Sequence, residues 1–128
     1  MTNPVVHFEI IGEKPAALRS YYAELFGWHA QTDSPVAPEI SDAGDYGFIE
    51  RDPSADPGGI PGGIGGGPEH AAHTIFYVGV EDVAAALQQA VDLGGTVVLA
   101  PASKPGGGLV VAHFADPEGN VIGLAGPK

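Results

Sequence analysis

Two side chains in the run VVHFEII are the first candidates for chemistry: His7 and Glu9. In an extended strand, residues two apart share a face. His7, Glu9 and Ile11 therefore look one way, and Val6, Phe8 and Ile10 the other. A carboxylate beside an imidazole in a desolvated place is an acid–base pair, because burial raises a carboxyl pKa and a neighbouring cation lowers it. The plainer alternatives are a hydrogen-bonded histidine and a solvated carboxylate at a rim. Tyr77 is a third candidate, since a ring that is apolar at one end and polar at the other suits a pocket wall. Its alternative is core packing. Glu69, His70 and His73 form the string EHAAH. Histidines three apart can share a metal on a helix, but a glycine run precedes these and argues against a helix. His29 and His113 have no partner nearby in sequence and read as structural or exposed. The chain has no cysteine, which excludes disulfides, thiolate nucleophiles and Cys-ligated metals.

The elements that must position these residues repeat. Phe8 to Gly27 (FEIIGEKPAALRSYYAELFG) and Phe76 to Gly95 (FYVGVEDVAAALQQAVDLGG) align without gaps. Phe, Glu, Ala-Ala, Leu and Gly coincide, and Glu9 falls on Tyr77. Each copy runs from an apolar strand through an acidic residue into an Ala-rich helix that stops at Gly. In the first copy Val5 to Ile11 is the strand, and Pro15 suits the first helical turn. Leu18, Tyr21, Tyr22, Leu25 and Phe26 form an apolar stripe, and Gly27 ends the helix. Trp28 to Gln31 and Tyr46 to Glu50 are further strand candidates. The glycine-rich stretch Pro57 to Pro68 combines irregular strand and loop, and matches neither a P-loop nor a dinucleotide fingerprint. In the second copy Thr74 to Val80 is a strand and Glu81 to Leu93 a helix with Val83, Ala86, Leu87, Ala90 and Val91 inward. Strands Thr96 to Ala100, Leu109 to Phe114 and Val121 to Leu124 follow, separated by turns at Lys104–Gly108 and Asp116–Asn120. The order is βαβββ twice, in the α+β class.

At 128 residues and 44% apolar composition the chain is one ordinary globular domain. Five Lys and Arg against sixteen Asp and Glu give a net charge of −11. Phosphate backbones and anionic membranes are repelled, so nucleic acid and membrane are not expected partners, whereas a cationic ligand is favoured. The start carries no basic segment followed by an apolar core, and no apolar run approaches a membrane span. A cytoplasmic location is the expectation.

The segments VVHFEI, SYYAELFGW, VEDVAAALQQAVDLGG and HFADPEGNVIGL resemble the vicinal oxygen chelate superfamily, the glyoxalase, bleomycin-resistance and extradiol-dioxygenase group. The resemblance spans nearly the whole chain. It implies a single domain of two βαβββ modules, at about 4–66 and 72–126, whose mixed sheet curls around a concave cavity, and a homodimer. The metal enzymes of that group use four His or Glu ligands, from the first and last strand of each module. His7 stands at one such position. Its repeat mate is Ile75, with His73 two residues earlier; the last-strand positions fall on Gly123 and among Gly62 to Gly66. The resemblance therefore implies no metal site and no cofactor. The function it implies is a metal-free protein binding a small organic, favourably cationic, molecule through His7, Glu9 and Tyr77. The alternative is an enzyme of the same group, of lyase or dioxygenase type, with unusual ligands or His/Glu acid–base chemistry.

Overall fold

The computed structural model describes residues 2–52, 54 and 59–128. Pro53, Pro57 and Gly58, at the turn and glycine run singled out in the sequence, lie outside the described residues. The chain forms two compact units, His7–Thr74 and Met1–Val6 with Ile75–Lys128.

In the unit His7–Thr74, strand β1 (Val5–Gly12) leads to helix α1 (Pro15–Phe26), then to the short strand β2 (Gly47–Ile49) and to β3 (Gly62–Gly66). The helix starts and stops where proline and glycine dictate. Pro15 occupies the first turn, and Gly27 at φ 72 closes the helix in the left-handed conformation, its N–H donating to the Ala23 carbonyl at 2.9 Å. The apolar stripe of α1 is only partly covered. Leu18 packs over Gly12 of β1, whereas Tyr21, Leu25 and Phe26 are exposed. β3 lies between the other two strands, parallel to β1 and antiparallel to β2. The strand expected to open at Trp28 is reduced to one bridge, in which Gln31 and Phe48 exchange both backbone hydrogen bonds at 3.0 and 2.9 Å.

The second unit holds β4 (His73–Gly79), α2 (Val83–Asp92), β5 (Thr96–Ser103), β6 (Val110–Ala115) and β7 (Val121–Gly126), a complete βαβββ order. β4 pairs parallel to β7, β7 antiparallel to β6, and β6 antiparallel to β5. α2 begins two residues later than expected. The Asp82 carboxylate accepts the Ala85 N–H at 3.1 Å, an N-cap that satisfies one of the donors a helix start leaves orphaned. Val83 and Leu87 from α2 meet Ala112 and Leu124 in a buried cluster. The Asp116 carboxylate accepts the N–H groups of Glu118 and Asn120 and the Asn120 side-chain amide, fixing the turn that sets β6 against β7. Among the described residues no helix is long and apolar enough to cross a membrane.

Candidate functional site

The floor of the candidate site in the first unit is made of glycine. Register places Glu9 of β1, Gly63 of β3 and Phe48 of β2 in one row across the three strands. A side chain on Gly63 would collide with Tyr46, since its Cβ would lie 2.1 Å from the phenol oxygen; a Cβ on Gly65 would lie 2.6 Å from the same ring. The absence of both side chains lets the Tyr46 ring lie on β3 and brings its hydroxyl to β1. Gly62 does the same for Phe8 on the opposite face, where a Cβ would stand 2.2 Å from the ring. The glycine run is thus a seat for aromatic rings. Ile64, the one larger side chain of β3, is fully buried.

The Tyr46 hydroxyl donates to Glu9 Oε1 at 2.9 Å and lies 2.9 Å from His7 Nε2. A phenol has one proton and a carboxylate has none to give. With that proton on the bond to Glu9, His7 Nε2 must carry hydrogen and donate to the Tyr46 oxygen, which leaves Nδ1 as the basic nitrogen. Phe48 covers this set, its ring centroid 6.1 Å from His7 and 4.9 Å from Tyr46. Desolvation by burial lowers the His7 pKa from 6.5 to about 4, so the imidazole is neutral near neutral pH. Glu9 is 3% exposed, which overturns the solvated-rim alternative. Alternation turns it inward, and Tyr46 closes over it.

The second unit repeats the device with other residues. Tyr77 of β4, Gly123 of β7 and His113 of β6 form one row. The Tyr77 ring lies on Gly123, where a Cβ would be 2.4 Å from Cδ1. Its hydroxyl shares a 2.8 Å hydrogen bond with His113 Nε2, and both residues are buried. Ile75, the repeat mate of His7, is also buried.

The sequence singled out His7, Glu9 and Tyr77; it did not single out Tyr46, and His113 read as structural or exposed. His7 and Glu9 come together on the Tyr46 hydroxyl; Tyr77 meets His113 within its own unit. A signal existed for His113. A hairpin closed by the Asp116–Asn120 turn pairs position 113 with 123, and Gly123 was already singled out. For Tyr46 the only signal was its place two residues before Phe48 on one strand face. The remaining histidines do not converge. His70 Nε2 lies 3.2 Å from an Asp42 carboxylate oxygen, and His73 Nδ1 donates to the Ala71 carbonyl at 2.9 Å.

A four-ligand metal set does not fit these residues. Tyrosine rings occupy the space above the last-strand glycines, Ile75 offers no donor, and among the described residues no three His, Asp or Glu side chains gather closely enough to hold an ion.

The fold has counterparts among solved structures. A variant of Streptomyces coelicolor methylmalonyl-CoA epimerase in complex with 2-nitronate-propionyl-CoA superposes with a TM-score of 0.69 at 16% identity, over 98% of this chain and 95% of that one. A hypothetical protein from Bacillus halodurans C-125 gives 0.69 at 14% identity, over 100% and 96%. A glyoxalase/bleomycin resistance protein/dioxygenase superfamily member from Vibrio splendidus 12B01 gives 0.55 at 16% identity, over 99% and 100%. At these identities the likeness is one of fold. No curated protein matches. The family model of the Glyoxalase/Bleomycin resistance protein/Dioxygenase superfamily matches residues 5–124. With that match covering nearly every element, the chain belongs to the glyoxalase/bleomycin resistance protein/dioxygenase superfamily.

Proposed function

We propose that this protein binds small organic molecules without a resident metal ion, with His7 and Glu9 as ligand contacts in one unit and Tyr77 as a ligand contact in the other. The observation that carries the reading is the hydrogen-bonded set His7–Tyr46–Glu9. Tyr46 holds a carboxylate and a neutral imidazole on one strand face, a group that recognises a hydrogen-bond donor or a cationic nitrogen. The protein's net charge of −11 favours the same kind of ligand. Tyr77 enters through the repeat, in which it is the equivalent of Glu9, and through its buried bond to His113. The reading includes a homodimer in the cytoplasm; the edge strand β5, paired on one side only within its unit, supports the dimer.

Ligand screening by thermal shift tests it. A molecule that stabilises the wild type should lose its effect in Glu9→Gln and weaken in Tyr77→Ala. Hits whose stabilisation survives both substitutions would place the binding elsewhere. Elemental analysis after exposure to zinc, nickel, manganese and iron(II) should find no stoichiometric ion.

A second reading is favoured by the same hydrogen bonds. His7, Tyr46 and Glu9 form a continuous path along which a proton can pass, the machinery of general acid–base catalysis. A methylmalonyl-CoA epimerase shares the fold, and epimerisation at a carbon bearing hydrogen requires such proton transfer. Deuterium uptake from D2O at C2 of methylmalonyl-CoA, lost in both His7→Gln and Glu9→Gln, would establish it. Absence of exchange in the wild type would rule out methylmalonyl-CoA as the substrate.

A further inference from the structure

The face of β1 that turns away from His7 and Glu9 carries a separate aromatic assembly. Phe8 packs against Trp28 with ring centroids 5.1 Å apart. Trp28 also meets Phe26 at 4.9 Å, and Tyr22 stacks on it at 5.6 Å with the planes inclined by 23°. The left-handed turn at Gly27 swings the chain from the end of α1 so that Phe26 and Trp28 lie against each other. Phe8, Phe26 and Trp28 front a cleft of about 630 Å³ within the unit His7–Thr74, with Glu50 and Asp52 on its wall. Phe26 is 57% exposed.

Acidic side chains outnumber basic ones around the cleft. Of its lining residues, Glu50 and Asp52 are acidic and His29 carries an imidazole; among the described residues no Lys or Arg lines it. Arg51, between them, brings an opposing charge beside the cleft, its Nε–H donating at 3.1 Å to the carbonyl of Gly59, a lining residue. The Ser54 hydroxyl and backbone N–H both donate to Asp52 Oδ1, at 2.7 and 2.9 Å. These bonds hold its carboxyl below the usual carboxylate range, so it stays ionised through neutral pH.

We propose that this cleft binds a small organic cation, its charged nitrogen against the faces of Trp28 and Phe26 and within the field of Glu50 and Asp52. Aromatic faces carry negative charge density and attract cations, quaternary ammonium groups above all, because such ions shed water easily. The same rings and carboxylates disfavour an anion. A neutral apolar molecule would use the rings and leave the carboxylates without a role. The proposal does not rest on the reading of His7 and Glu9, which lie on the opposite strand face.

Trp28 is the only tryptophan of the chain, so its fluorescence and its indole N–H resonance report on this cleft alone. The probes are choline and its neutral isostere 3,3-dimethylbutan-1-ol. Choline should shift the indole resonance saturably and bind at least roughly tenfold more tightly than the alcohol. The double variant Glu50→Gln/Asp52→Asn changes two wall residues outside the core and should weaken choline roughly fivefold without weakening the alcohol. Phe26→Ala, at an exposed ring, should weaken choline too. Equal affinity for the two probes, an indole signal that does not saturate with choline, or undiminished choline binding in the double variant would each overturn the proposal. The Trp28 indole reads this cleft, and the loss of thermal stabilisation in Glu9→Gln reads the other, so the two sites succeed or fail separately.

Discussion

Acidification should destabilise this protein through His7 in a window set by the imidazole. In the unfolded chain His7 takes up a proton near pH 6.5; in the fold, desolvation delays uptake to about pH 4. Above pH 6.5 both states are neutral at this residue, and stability does not change on its account. As pH falls from 6.5 to 4, the unfolded state gains a proton that the folded state refuses, so stability is lost through that interval and levels off below it. At about 1.4 kcal/mol per pH unit, the interval is worth about 3 kcal/mol, a ceiling because the ring is only partly covered. That is a large share of the roughly 5–15 kcal/mol that holds an ordinary domain together. Urea unfolding at half-unit steps from pH 7.5 to pH 4, on wild type and His7→Gln, measures it. The wild type should lose about 2–3 kcal/mol more than the variant between pH 6.5 and 4. Asp52 and Asp116 are held below their usual range by hydrogen bonds, so their contribution is present above about pH 4 and lost below it, outside this window. Parallel losses in wild type and variant, or a His7 ring-proton titration in the folded protein with a midpoint above 6, would show that burial does not keep the proton from His7.

Gly63→Ala and Gly123→Ala should each destabilise the protein by at least about 2 kcal/mol, since the new methyl displaces a buried tyrosine ring, and should disturb the near-ultraviolet circular dichroism of Tyr46 or Tyr77. Thermal unfolding checks the first part; a midpoint within a degree of wild type would show that the rings move at no cost. Asp82→Ala removes the N-cap of α2 and should cost about 1 kcal/mol, with Asp82→Asn retaining most of the stability. Chemical denaturation at pH 7 decides this, and an unchanged midpoint in Asp82→Ala would show that the cap is energetically idle.

Local chemistry made several elements legible without the fold. Pro15 and Gly27 bound α1 because one residue lacks an N–H and the other tolerates positive φ, and both properties belong to the residue itself. The two-residue alternation of β1 separates His7 and Glu9 from Phe8, and the structure carries the first pair to Tyr46 and Phe8 to Trp28. The repeat paired Glu9 with Tyr77, and it put glycines at the last-strand positions. What fills those places was decided by tertiary structure. Tyr46 lies 37 residues from Glu9, and nothing between them signals that its ring will rest on Gly63. The contact exists only when β1, β2 and β3 are in register. His113 depends in the same way on the pairing of β6 with β7. The exposure of Phe26 was also hidden. Helical periodicity puts it on the apolar stripe, but a stripe specifies a face and not how wide a partner covers it. Sequence patterns record the period of side chains along one element. Burial, hydrogen-bond partners and the depressed His7 pKa arise from elements distant in the chain, and these appear only when packing brings them together.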